Sequence, residues 1–120
     1  MAKLVILITS QIDAGYEVGE AWQEHGAPGV TLINSYGLHQ VQEASKKSEV
    51  LPGVLSMLEL VRNQHENNLI LLSVVDDVVL AEELIDTANQ VLGDLYKPNN
   101  GLMFVLDVEQ VFGLRHPVPK

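Results

Sequence analysis

Three short segments of this chain, residues 3–9 (KLVILIT), 68–75 (NLILLSVV) and 102–108 (LMFVLDV), are apolar at nearly every position instead of at every second one. A strand with one wet face alternates apolar and polar residues, so these runs describe strands that are dry on both faces. They are shorter than an ordinary core helix and rich in β-branched residues, which favours the extended chain. The chain is therefore required to build a sheet and to cover it on both sides.

The intervening residues supply one of those covers. After the first run, Ser10 with Asp13 three residues later has the pattern of a capping box, and Ala14, Val18, Ala21, Trp22 and His25 recur at helical spacing until Gly26 and Pro28 stop the helix. Gly15 and Gly19 lie inside it, where each costs about 1 kcal/mol relative to alanine unless close packing against a sheet offsets the loss. Residues 30–35 read as a second strand. Asp76 and Asp77 suit the N-cap and first turn of a second long helix, with Ala81, Leu84, Ile85, Ala88 and Val91 on one face and Gly93 at its end. The order β-α-β-(loop, short helix)-β-α-β predicts an α+β class and a ferredoxin-like βαββαβ sandwich.

Residues 35–53 (SYGLHQVQEASKKSEVLPG) show neither the helical nor the strand period, and Pro52 then favours a short helix over 54–65. Connections longer than about 12–15 residues tend to be functional or disordered. Two helices cover one face of a ferredoxin-like sheet. The short helix is one candidate cover for the other face, but so large an apolar face points more strongly to a subunit interface, and hence to a homo-oligomer.

With 120 residues, 47% of them hydrophobic, the chain suits one domain over 1–120. Sixteen acidic residues against seven basic ones give a net charge of -9, which makes nucleic acid and anionic lipid poor partners. Absence of cysteine excludes disulfides, thiolate metal sites and a cysteine nucleophile. The apolar run at 4–8 is too short for a signal-peptide core or a membrane span, so no membrane insertion and a cytoplasmic location are expected.

No P-loop, GxGxxG, GxSxG or HExxH pattern occurs. The histidines at 25, 39, 65 and 116 lack metal-ligand spacing, so no metal is assigned. Asp76 and Asp77 are adjacent at a helix start and do not face each other, which favours capping over catalysis. The scarce basic residues say more. Lys46 and Lys47 lie in the long loop, Lys97 in the link before the last strand and Arg115 just after that strand. If those segments meet, they form a cationic site for a phosphate or carboxylate; otherwise they are ordinary surface charges.

Three features resemble the PII family of nitrogen-regulatory signalling proteins across nearly the whole chain: HGAPGVTL at 25–32, NNGLMFVLDVEQVFGLR at 99–115, and the position of the long loop. The resemblance implies a homotrimer whose sheets line a central core. It also implies a small anionic effector, such as an adenine nucleotide, in each inter-subunit cleft, and a loop at 36–53 that signals to a target protein or transporter. No enzymatic step and no obligatory cofactor are implied. Carried onto this sequence, the ligand-binding residues are Gly37, His39 and Gln40 from the loop base, Lys97, Asn100 and Gly101 from the link, and Arg115 from the tail.

The sequence departs from the family at the phosphate site. Where the family has Thr-Gly and then Gly-Asp-Gly-Lys, this chain has Leu95, Tyr96, Asn99, Asn100, Gly101 and Leu102, and Gly113 replaces the first of two C-terminal arginines. Val41 aligns with the loop glutamine, and no tyrosine between Gly37 and Leu95 preserves the uridylylation switch. Two alternatives share the architecture: a small ferredoxin-like enzyme using His39 or His116 as acid or base, and a trimer resembling the CutA-type proteins.

Overall fold

A computed structural model describes residues 1–38, 68–97 and 100–114. The chain forms β1 (Ala2–Thr9), α1 (Ile12–Glu24), β2 (Thr31–Ser35), β3 (Asn68–Val75), α2 (Val78–Leu92) and β4 (Leu102–Val108). The expected short helix at 54–65 and most of the long loop lie outside the described residues. The four strands make one antiparallel sheet in the order β2-β3-β1-β4, the ferredoxin-like arrangement.

The apolar runs become strands where their sequence ends in polar or turn-forming residues, and β3 and β4 have the same bounds as the runs. Helix α1 starts differently from the sequence expectation. Its N-cap is Gln11, which makes no capping side-chain bond, so Ser10 and Asp13 do not form a capping box. The Thr9 hydroxyl accepts the Gln11 N–H instead, at 3.1 Å.

The helix end matches its sequence signal. Gly26 has φ +97°, the Gly26 N–H donates to the Gln23 carbonyl and the Ala27 N–H donates to the Trp22 carbonyl, each at 3.0 Å. These are the paired bonds of a Schellman motif, with buried Ala27 and Trp22 supplying its apolar contact. At the start of α2, Asp77 is the N-cap and its carboxylate accepts the Leu80 N–H at 2.6 Å.

The core lies between the helices and one sheet face. Val5, Leu7, Leu69, Leu71 and Val75 meet Val18 and Trp22 of α1 and Ala81, Leu84, Ala88 and Leu92 of α2. Trp22 is fully buried, and its indole N–H donates to the Leu84 carbonyl at 2.9 Å, which ties the two helices together without leaving a buried donor unpaired. Gly15 is required by close packing against the sheet, while Gly19 has room for an ordinary contact. A Cβ on Gly15 would stand 2.8 Å from Leu69 Cδ2, and one on Gly19 would stand 3.5 Å from Leu32 Cδ2. On α2 the buried set is Ala81, Leu84, Thr87, Ala88 and Leu92, so Thr87 and Leu92 join the core and Ile85 turns aside toward β4.

The opposite sheet face is equally apolar. Register places Leu4 between Val74 and Leu106, Ile6 between Leu72 and Phe104, and Ile8 between Ile70 and Leu102. Ile33 of β2 continues this surface beside Ile70. In β1 and β3 these residues are half-buried and alternate with fully buried ones, while on β4 Leu102 is 59% exposed and Leu106 50% exposed. Leu114 reaches one end, where it lines a cavity of about 380 Å³ with Leu4, Leu72 and Val74.

Candidate functional site

The strand registers collect several chain segments at one end of the sheet. Thr9 pairs with Leu69, Ile8 with Leu102 and Ser35 with Asn68. The end of β1, the end of β2, the start of β3 and the start of β4 therefore lie along one rim. The link from α2 to β4 runs into this rim, and Gly37 follows β2 at its far side.

The link begins where Gly93, with φ +85°, ends α2 and donates its N–H to the Asn89 carbonyl at 2.9 Å. Asp94 then organises a turn. Its carboxylate accepts the Tyr96 N–H at 2.9 Å, and its carbonyl accepts the Lys97 N–H at 3.0 Å. Such an Asx-type turn is a local device that aspartate makes with its own following backbone.

Asn100 fastens the turn to the rest of the molecule. Its Nδ2 donates to the Asp94 carbonyl at 2.6 Å, its Oδ1 accepts from Gln11 Nε2 at 3.0 Å, and its carbonyl accepts the Thr9 hydroxyl at 3.1 Å. One residue thus clasps the link onto the molecule, its carbonyl meeting the end of β1 and its side-chain amide the start of α1. Gly101 completes the approach. It has φ +135°, and a Cβ there would lie 2.8 Å from the Ile8 carbonyl oxygen, so both backbone conformation and space require glycine.

Beside the link, a groove of about 600 Å³ opens between α2 and the β4 edge. Ile85 and Asn89 form its helix wall, Asp94 and Tyr96 its link wall, and Met103 and Phe104 part of its floor. Tyr96 is 99% exposed at the rim. Of the two described Lys and Arg side chains, Lys3 pairs with Asp107 across β1 and β4, while Lys97 stands exposed on the link.

The residues expected from sequence separate into three groups. Lys97, Asn100 and Gly101 come together in the link, with Asn100 serving as its fastener. Gly37 shares the same rim at the β2 edge, and the strand order puts it roughly 14 Å, or three strand spacings, from β4. His39, Gln40 and Arg115 lie outside the described residues. Thr9, Gln11 and Asp94 were absent from the expected set, and their bonds to Asn100 span 91, 89 and 6 residues of chain, respectively. No spacing rule reaches across the first two separations.

Among the described residues there is no cluster of His, Cys, Asp or Glu that would hold a metal ion, and no helix long and apolar enough to cross a membrane. No protein-family model matches the chain, and no curated protein matches it in sequence. Solved structures do. B. subtilis GlnK superposes with a TM-score of 0.55 at 18% identity, covering 90% of this chain and 85% of that one. A B. subtilis GlnK-ATP complex superposes with a TM-score of 0.50 at 18% identity, covering 89% of this chain and 81% of that one. The two-helix, four-strand architecture is thus the ferredoxin-like fold seen in GlnK, a PII-family protein, and the chain has a PII-like fold.

Proposed function

We propose that this chain is a PII-like regulatory protein of the cytoplasm, a single domain over 1–120 that assembles as a homotrimer and binds a small anionic effector between subunits. An adenine nucleotide is the leading candidate effector. Gly37, His39 and Gln40 contact it from the loop base, Lys97, Asn100 and Gly101 from the link, and Arg115 from the tail. The loop over 36–53 then reports occupancy to a target protein or transporter, with no covalent step.

The observation that carries this reading is the apolar sheet face opposite the helices. Leu4, Ile6, Ile8, Leu72 and Phe104 together form a continuous surface of the kind that monomers rarely leave in water. Packing three such faces around an axis removes it from solvent, and closed cyclic symmetry accounts for a finite assembly. The rim with Gly37 at one edge and the link at the other then lies next to a neighbouring copy. GlnK, which shares the fold, has been seen with ATP, and this supports a nucleotide as the effector to test first.

A thermal-shift screen of the intact protein with ATP, ADP, AMP, cyclic nucleotides and small carboxylates tests the effector. A ligand at 100 times its Kd stabilises the native state by about 2.7 kcal/mol, which a melting curve resolves readily. Lys97→Ala combined with Arg115→Ala is expected to abolish the shift. Melting curves unmoved by every compound would overturn the effector reading.

A further inference from the structure

After β4 the chain turns back over the sheet. Val111 lines a cleft with Met1, Ala2, Asp76 and Val108, beyond the start of β1 and the ends of β3 and β4. Gly113 follows with φ +82°, and Leu114 then lines the groove that also holds Leu4, Leu72 and Val74. Val111 and Leu114 are half-buried, whereas Phe112 between them is 87% exposed. The segment thus runs from the β4 edge across β1 and β3 and heads for the start of β2.

The groove it enters continues past Leu114. Pro28, Gly29 and Thr31 form one wall and Leu72, Ser73 and Val74 another, around a volume of about 380 Å³. It exists because β2 is short. The β2–β3 register stops at Thr31 and Leu72, so Ser73, Val74 and Val75 run on past the start of β2. The Ser73 hydroxyl donates to the Gly29 carbonyl at 2.8 Å and fixes the approach to β2 beside them.

The sequence after Leu114 suits this seat. Residues 115–120 read RHPVPK. His116 and Val118 each precede a proline, which biases both to extended backbone, and Pro117 and Pro119 fix their own φ, so little entropy is lost on docking. Extended chain advances about 3.3 Å per residue and neighbouring strands lie about 4.8 Å apart, so two residues carry the chain from β3 to β2. A tether this short sets an effective concentration of about millimolar, enough to hold a weak contact closed. Arg115 and Lys120 also bring two of the seven basic residues to a protein of net charge -9.

We propose that the groove at the start of β2 is the seat of the chain's own C-terminal segment, with Val118 packed between Thr31 and Val74 and the flanking prolines lying along the groove. The strap covers only one end of the apolar face, and Ile6, Ile8, Ile70 and Phe104 stay open to other copies. It keeps Arg115 at the sheet end opposite the protomer's own link, in accord with an effector bound between copies, but it depends on no ligand.

Disulfide trapping in the intact chain, which has no cysteine of its own, tests this. Val118→Cys combined with Thr31→Cys is expected to oxidise within one chain and run at monomer mass on a denaturing gel without reductant. The rate should be about tenfold that of Val118→Cys combined with Asp86→Cys, which is exposed on α2 in the layer across the sheet. Hydrogen exchange gives a second readout: Val118→Asp is expected to raise exchange at residues 29–31 and 73–74 roughly tenfold and to leave the link unchanged. A crosslink at twice the chain mass would overturn the proposal by placing the tail on a neighbouring copy. Equal rates for the two cysteine pairs, or exchange unaltered by Val118→Asp, would overturn it as well.

Discussion

The two faces of the sheet have nearly the same composition and opposite fates. On the helix side, Val5, Leu7 and Leu71 are wholly buried. On the other side their sequence neighbours Leu4, Ile6 and Leu72 are just as apolar yet remain half-buried, and Leu106 on the edge strand is half exposed. The difference teaches that composition alone does not decide burial, because among the described residues only one of two equally apolar faces is packed under helices. The helix-side face is the core of a protomer, and the opposite face is the one that the proposed assembly would cover.

Substitutions on the two faces should therefore fail in different ways. The largest effect is expected from Leu106→Asp, which would bury a carboxylate at every subunit contact, at a cost of several kcal/mol each. Light scattering should then report a monomer, while circular dichroism should still report the native secondary structure. Trp22→Ala strikes the helix-side core and removes the bond to Leu84, so urea unfolding should show a loss of about 3–5 kcal/mol.

A smaller effect separates the rim from both faces. Gly101→Ala forces a Cβ against the Ile8 carbonyl at an unfavourable φ, and a loss of about 1–3 kcal/mol is expected. Hydrogen exchange should localise the loosening to the link. Asp77→Ala removes only the α2 cap and should cost about 1 kcal/mol in the same unfolding assay, with assembly unchanged.

Much of this architecture was legible in the sequence because its signals are local. Uninterrupted apolar runs bounded by turn residues located β3 and β4, and Gly26 and Gly93 marked where both helices stop. Gly15, which weakens an isolated helix, became intelligible once α1 was seen pressed against Leu69, whereas the space around Gly19 would admit a Cβ. Asp77 marked the start of α2 as expected, and the start of α1 was harder. Ser10 and Asp13 satisfied a capping pattern, yet the Thr9 hydroxyl took the first free N–H, because sheet geometry brought it there.

The site was legible only in part, since its members act at long range. Lys97 stood out as a scarce cation in the link, while Asn100 and Gly101 entered through the resemblance to the PII family. The role of Asn100 as a fastener depends on Thr9 and Gln11, which only the β1–β4 pairing brings alongside. Ile85 illustrates the same limit. Helical period put it on the core face, whereas the width of the gap beside β4 turned it into a groove wall.

The central claim is that the apolar face opposite the helices is covered by other copies of the chain. Size-exclusion chromatography with multi-angle light scattering on the wild-type protein tests it most directly. The account predicts a single species with three times the 13.2 kDa mass of the chain. A species that stays at 13.2 kDa at every concentration measured would contradict it.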